Sequence, residues 1–174
     1  MKFSIITATY NSEEHILSAI RSVQEQTYMN IELIIVDGGS TDNTLKIVQE
    51  NYTRELKIIS EKDKGIYDAL NKGVRMATGD VIGFVHSDDL LASKDIIASL
   101  ASEFCKQEID GIYGDLKYVS AQDLEKTIRY WKSNDYKREM LNAGWMPAHP
   151  TLFLKKEVYQ KIGEFDLSFK IAAD

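Results

Sequence analysis

Four short runs dense in Ile, Val and Leu, "KFSIITAT" (2–9), "IELIIV" (31–36), "LKIIS" (56–60) and "DVIGFVH" (80–86), divide the first half of the chain. Between them the apolar spacing changes to that of helices. Ile16, Ile20 and Val23 recur at helical intervals behind Asn11, a candidate cap with Glu14 three residues on; Leu45, Val48 and Tyr52 mark a second inner face. Residues 65–78 read as a third helix, and a fourth is expected to open at Ser93. Runs that are apolar throughout belong to strands covered on both faces, as in a parallel sheet with crossover helices. The expectation is an α/β fold, Rossmann-like and mostly parallel, with helices on both faces, in a single domain. Ligands of such sheets sit outside the carboxyl ends of the strands. Further on, "GIYGDLKYVS" (111–120) reads as one more strand and 155–162 as a short helix, while 121–148 has no clear period.

A chain of 174 residues, 44% of them hydrophobic, is long enough for one domain with a real core. Its 21 basic and 27 acidic side chains give a formal charge of -6, which argues against nucleic acid as a partner, because such binding rests on phosphate neutralisation by Lys and Arg. A phosphorylated small molecule would need a local cation or a metal. The single cysteine, Cys105 in "IIASLASEFC", excludes a disulfide within the chain and is expected to be a buried thiol, in keeping with a reducing compartment. Polar residues interrupt the N-terminal apolar run too early for a signal peptide, and no stretch is long enough to span a bilayer. A cytoplasmic location is expected, with peripheral contact at the inner face of the cell membrane left open.

Three polar clusters fall at the carboxyl ends of the expected strands: "TATYN" (7–11), "VDGGSTDNT" (36–44) and "HSDD" (86–89). Carboxylates crowded on one edge repel unless a cation lies between them, and oxygen ligands at this spacing suit Mg²⁺ or Mn²⁺ held together with substrate phosphates. A solvated turn with a helix cap also accounts for Asp88 and Asp89, and a hydrogen-bonded histidine near the core for His86. No G-x-G-x-x-G follows the first strand and there is no P-loop, so dehydrogenase and NTPase chemistry lack their phosphate cradles. "TYNSEEH" also stands where a nucleotidyltransferase would place a glycine-rich basic loop.

The ordered set "TATYN", "ELIIVDGGSTDNT", "EKDKGIYDALNKGVRMATGD", "FVHSDD" and "HPTLFLKKEVYQKIGEFDLSF" resembles the family 2 glycosyltransferases of the GT-A fold, from Lys2 to the last residue. The "DKGIYDALNKG" wording is similar to the branch that builds bacterial surface polysaccharides. The resemblance implies a nucleotide-binding half (about residues 1–90) and an acceptor-side half (about 91–174), with the chain expected to break off inside the catalytic domain. It implies that Thr9, Tyr10 and Asp37 hold the base, Tyr10 against the ring and Asp37 accepting from an imide N–H, which points to a UDP- or dTDP-sugar. For Asp37 an Asx turn is the competing role, and for Asp42 helix capping is favoured. Asp63, Gly65 and Asn71 would lie under the ribose and diphosphate. Leu70 occupies a position where the family often has Arg, leaving Lys64 or Lys72 to substitute. "HSDD" matches the family's D-x-D, with Asp88 on the metal and His86 in place of the first Asp, as a ligand or a donor to the ribose. Asp115, Trp145 and His149 would line the acceptor sugar pocket, and Asp174 would be the general base, with Ala173 in place of a preceding acid. The implied reaction is a metal-dependent, inverting transfer to a growing glycan or lipid-linked acceptor. Alternatives are a nucleotide-sugar-binding protein without turnover and a nucleotidyltransferase.

Overall fold

The computed structural model describes residues 1–169; Asp174 and Ala173 lie outside them. Strands β1 (Phe3–Thr9), β2 (Ile31–Asp37), β3 (Glu55–Ser60) and β4 (Val81–Phe84) alternate with helices α1 (Ile16–Gln24), α2 (Thr44–Asn51) and α3 (Ile66–Met76). Helix α4 (Ile96–Lys106) follows, then β5 (Gly111–Ile112), the hairpin β6 (Leu116–Ser120) and β7 (Asp123–Trp131), and α5 (Arg138–Asn142). A 3-10 turn (His149–Thr151), β8 (Phe153–Lys155) and α6 (Lys156–Ile162) complete the described elements. The main sheet runs β3-β2-β1-β4-β8-β5; β1 to β4 are mutually parallel and β8 is antiparallel to both neighbours. The α/β class and the parallel core are thus as expected from the sequence; the strand order, which turns back at β1, comes from the structure.

All seven residues of β2 are buried. Ile31, Leu33 and Ile35 join Phe3 and Ile5 in one core with Ile16, Ile20, Val48 and Ile97 of α1, α2 and α4. Ile34 and Val36 join Ile6, Ile82 and Phe84 in a second core with Ala69, Leu70 and Val74 of α3. Each such aliphatic side chain contributes roughly 1.5–3 kcal/mol by burial, which secures this register against a one-residue slip. At the amino edge of the sheet Glu32 is fully buried, paired with Lys57 (2.7 Å) and Lys2 (3.2 Å) and accepting from Ser4, Thr78 and Gly79. Burial pushes its carboxyl up, but Lys57, Ser4 and Thr78 together outweigh that and hold it well below the usual carboxylate range.

Several local expectations change. Asn11 does not cap α1: its φ of 46° sends the chain through a turn at Ser12, and the helix opens only at Ile16. Helix α4 opens at Ile96 rather than Ser93. Cys105 is exposed, because Ile97, Ala101 and Phe104 form the inner face and the next residue is turned some 100° away from Phe104. Residues 111–120 form two strands, β5 in the main sheet and β6 in a separate pair, and the stretch without clear period contains β7, nine residues long. Exposed on both faces, β7 has no core to impose alternation. Among the described residues no helix is long and apolar enough to cross a membrane.

Candidate functional site

Register places the site. Thr9, Asp37 and Ser60 are partners across β1, β2 and β3, so the three loops leave the sheet at one level. Side chains then staple them together. Asn11 receives the Thr41 N–H (2.9 Å) while its own N–H is donated to Ser40 Oγ (2.8 Å), and Glu13 accepts from the Asn43 backbone and side chain. Ser12 donates its N–H to Thr44 Oγ1 (2.8 Å) and its hydroxyl lies 3.1 Å from that of Ser87, joining the β1 and β4 loops. Asp42 accepts from Thr44 N–H and hydroxyl at the start of α2, the capping role expected of it. None of the stapling residues Ser12, Glu13, Ser40 and Asn43 was legible as such in the sequence, since their partners lie about thirty residues or more away.

Asp37 takes the competing role of an Asx turn, not contact with a base. The residue is fully buried, and its carboxylate accepts from Gly39 N (3.1 Å), Ser40 N (2.9 Å), Ser60 Oγ (2.6 Å) and the Ser40 hydroxyl. It is saturated as the organiser of an Asx turn and has no surface to present to a base. The surface beyond it belongs to other groups. Tyr10 is 62% exposed, and a Cβ on Gly38 would stand 3.4 Å from Tyr10 Cδ2 and only 2.8 Å from Asp63 Oδ2. Gly38 is therefore a floor between an exposed ring and a carboxylate. Asp63 Oδ1 accepts from Gly65 N (2.9 Å), an Asx turn that enters α3 through Gly65 at φ 118°, with open space where a side chain would stand. Thr9 adds a buried hydroxyl with no hydrogen-bond partner among the described residues.

Asn71 is placed otherwise than expected: it is buried, donating to Phe165 O (2.9 Å) and accepting from Phe165 N (2.8 Å), so its amide clasps the chain after α6. Leu70 is core, and Lys72 is engaged by Glu61 (2.9 Å) and Asp68 (3.4 Å). Lys64 remains an exposed cation at the mouth of α3.

After β4, Asp88 is exposed and Asp89 half-buried. Burial raises the Asp89 carboxyl above its ordinary range; His86 pulls it down and the Asp88 charge pushes it further up. The His86 ring lies flat on His149 (centroids 5.6 Å, 13°), which lies flat on Phe84 (5.0 Å, 20°). In this column His86 Nδ1 is buried without a hydrogen-bond partner among the described residues. No group of three or more His, Cys, Asp or Glu among the described residues is arranged to hold a metal ion. A hard cation bound with a diphosphate needs only one or two protein carboxylates, a requirement that Asp88 and Asp89 fit.

The acceptor-side trio separates. Asp115 is bound by the Tyr130 hydroxyl and Ser133 N (2.8 Å), which together hold its carboxyl below the ordinary range, so it anchors the hairpin. Trp145 packs on Tyr113 (5.8 Å) and Tyr136 (6.4 Å). Only His149 of the three lines the cavity of about 290 Å³ beside Asp89, together with Trp131, which reading the sequence had not singled out.

A model of glycosyl transferase family 2 matches residues 4–163. A PGL/p-HBAD biosynthesis glycosyltransferase of Mycobacterium bovis is 32% identical over 183 residues, covering 99% of this chain and 66% of its own length. A glycosyltransferase of Nostoc sp. is 31% identical, covering all of this chain and 57% of its own. The chain thus spans just under two thirds, or less, of these relatives. Among solved structures, S. aureus TarS 1–349 in complex with UDP superposes with a TM-score of 0.76 at 23% identity, covering 99% of this chain and 52% of that one. A mannosyltransferase of Pyrobaculum calidifontis in complex with GDP-Man and Mn²⁺ superposes at 0.70 and 20% identity, covering 95% and 48%. At these identities the structural likeness speaks for a shared GT-A-like fold.

Proposed function

The chain belongs to glycosyl transferase family 2, and from that premise we propose that it moves a sugar from a nucleoside-diphosphate donor to an acceptor hydroxyl in the synthesis of a polysaccharide or lipid-linked glycan. The observation that carries the reading is the convergence of Tyr10, Gly38 and Asp63 at the aligned ends of β1, β2 and β3. An exposed ring beside a floor with no side chain gives a base room to lie flat. The Asp63 Oδ2 at its edge is an acceptor, which suits the imide N–H of uracil or thymine and finds no such donor on adenine. A UDP- or dTDP-sugar is the proposed donor, with Asp63 taking the base-reading role first expected of Asp37.

For the diphosphate, exposed Lys64 and the open backbone at Gly65 would supply the contacts beyond Asp63, and Asp88 would hold Mg²⁺ or Mn²⁺. The ion's chemistry is to neutralise charge on the departing nucleoside diphosphate. Direct displacement with inversion needs a general base for the acceptor hydroxyl, a role proposed for Asp174.

The test is calorimetry with UDP-, dTDP-, GDP- and ADP-sugars, with and without Mn²⁺. Asp63→Asn should cost UDP binding about 1.5–3 kcal/mol, the scale of a hydrogen bond to a charged group, and leave ADP binding, however weak, unchanged. Equal losses for both would refute base reading. Asp88→Ala should remove the gain from Mn²⁺, and Asp174→Asn should slow release of nucleoside diphosphate roughly 10²–10⁴-fold. Donor binding with no release in the presence of any acceptor would favour a binding protein without turnover, while pyrophosphate release from an NTP and a sugar phosphate would favour a nucleotidyltransferase.

A further inference from the structure

Charge is divided unevenly along the chain. Residues 117–138, which include most of the β6–β7 ribbon, carry six basic and three acidic side chains, whereas the chain as a whole has a formal charge of -6. Lys117, Lys126, Lys132, Lys137 and Arg138 are exposed, and none of them forms an ion pair among the described residues. The ribbon is held to the body at both ends: near its base Trp131 shares a cavity with Pro147 and His149, and at its tip Leu124 shares another with Leu17 and Arg21 of α1. Its opposite side has no cover. There Tyr130 stands across from Lys117, half exposed, its hydroxyl donated to Asp115. Between the Tyr118–Arg129 and Val119–Thr127 pairs β7 has one residue more than β6, so Ile128 sits in a bulge and is 69% exposed. The Arg129 guanidinium, 5.5 Å from the Tyr118 ring centre and 5.7 Å from that of Trp131, stiffens the ribbon.

A single exposed isoleucine is ordinary, but this one lies among unpaired cations and beside a tyrosine. That mixture matches the surface of an anionic bilayer. Lysine stems cover apolar surface while their ammonium groups stay at the level of the phosphates, tyrosine favours the boundary between headgroups and chains, and basic residues are drawn to an anionic leaflet. We propose that the outward face of the β6–β7 ribbon docks on an anionic lipid surface, Ile128 entering the headgroup region while Lys117 and Lys126 meet lipid phosphates. Among the described residues no helix can cross a membrane, so the contact is one of lying on the surface. The same division of charge orients the molecule, because the acidic remainder of the chain is repelled by the leaflet that attracts the ribbon. A protein partner fits less well: the centres of protein interfaces are depleted of lysine, and this face has lysines between its apolar side chains. Nucleic acid would meet the cations and leave Ile128 without an apolar partner.

The test is flotation of the chain with vesicles of mixed phosphatidylglycerol and phosphatidylcholine, and with vesicles of phosphatidylcholine alone, in the absence of nucleotide and acceptor. Binding to the mixed vesicles that weakens as salt rises, with little binding to phosphatidylcholine, supports the docking. Lys117→Gln and Lys126→Gln should each lower partition onto the anionic vesicles roughly fivefold, and Ile128→Ser about tenfold. Lys46→Gln on α2, an exposed lysine outside the ribbon, should leave it unchanged. All four positions are exposed, so the unfolding midpoints should match the parent's. A chain that ignores anionic vesicles overturns the proposal, as does an equal loss with Lys46→Gln or undiminished binding by Ile128→Ser. If the vesicles stay unbound and light scattering shows pairs of chains that Ile128→Ser dissociates, the face is a contact between copies and the proposal fails. Since no nucleotide is present, these outcomes leave the glycosyltransferase reading to stand or fall by its own test.

Discussion

Strands β2 and β7 are both built from Ile, Leu and charged residues, yet every residue of β2 is buried and every residue of β7 but Trp131 is exposed. The difference is one of neighbours. β2 has a strand on each side and a helix layer on each face, whereas β7 pairs with β6 alone. A two-stranded ribbon is marginal by itself, so this one depends on polar anchors at its base, Tyr130 and Ser133 on Asp115 and Thr151 on Gly114. The loops after β1, β2 and β3 need no such help, because they emerge from a sheet already locked by burial and are stapled to one another. The molecule therefore pairs a rigid end, where Tyr10 and Asp63 stand, with a softer flap carrying Trp131.

The comparison can be broken most forcefully from the far edge of the sheet. Glu32→Gln keeps the shape but leaves Lys2 and Lys57 facing an uncharged buried amide, and should destabilise the whole domain by about 3–5 kcal/mol near neutral pH in urea unfolding. The acid limb supplies the sign. Because the folded-state carboxyl is held below its unfolded value of about 4.3, its contribution is complete above that value and declines as pH falls toward the folded one. Glu32→Gln should therefore flatten the fall in stability below about pH 4; an acid limb as steep as the parent's would show that another carboxylate governs it.

A smaller effect is expected from Gly38→Ala. The new methyl would press on Asp63 Oδ2, costing about 1–3 kcal/mol in UDP affinity or stability while leaving amide exchange in the hairpin unaltered. Asp115→Ala should do the reverse. Hydrogen exchange across residues 116–131 should accelerate, with UDP binding and the global midpoint nearly constant; a joint loss would mean that flap and sheet unfold as one unit. The smallest change belongs to Cys105→Ser, which should stay within about 0.5 kcal/mol of the parent because the thiol is exposed. A larger loss would contradict the placement of α4.

Reading the sequence worked where pattern and burial repeat each other. The Ile and Val runs, the helical spacing of Ile16, Ile20 and Val23, and the polar clusters after each strand follow from local periods, and β1 to β4 with α1 to α3 were all legible. It failed where a residue's role depends on a distant partner. Asp37 and Asp63 are both aspartates beside a strand-end glycine turn; the Asx turn through Gly39 and Ser40 was open to Asp37 from local sequence, but nothing local says that Ser60 completes its burial while Asp63 keeps an oxygen toward Gly38. Asn71 reads as a polar residue on a helix until Phe165, ninety-four positions away, takes both ends of its amide.

By itself, then, the sequence determined the α/β architecture, the parallel core and the edge of the sheet at which chemistry collects, because hydrophobic burial is set by spacing along the chain. The tertiary structure alone decided which carboxylates on that edge are spent on holding loops and which stay available, and it brought Trp131, Asp89 and His149 around one cavity. Hydrogen-bond saturation and cavity shape are properties of groups that meet in space from separate elements, and no local period encodes them.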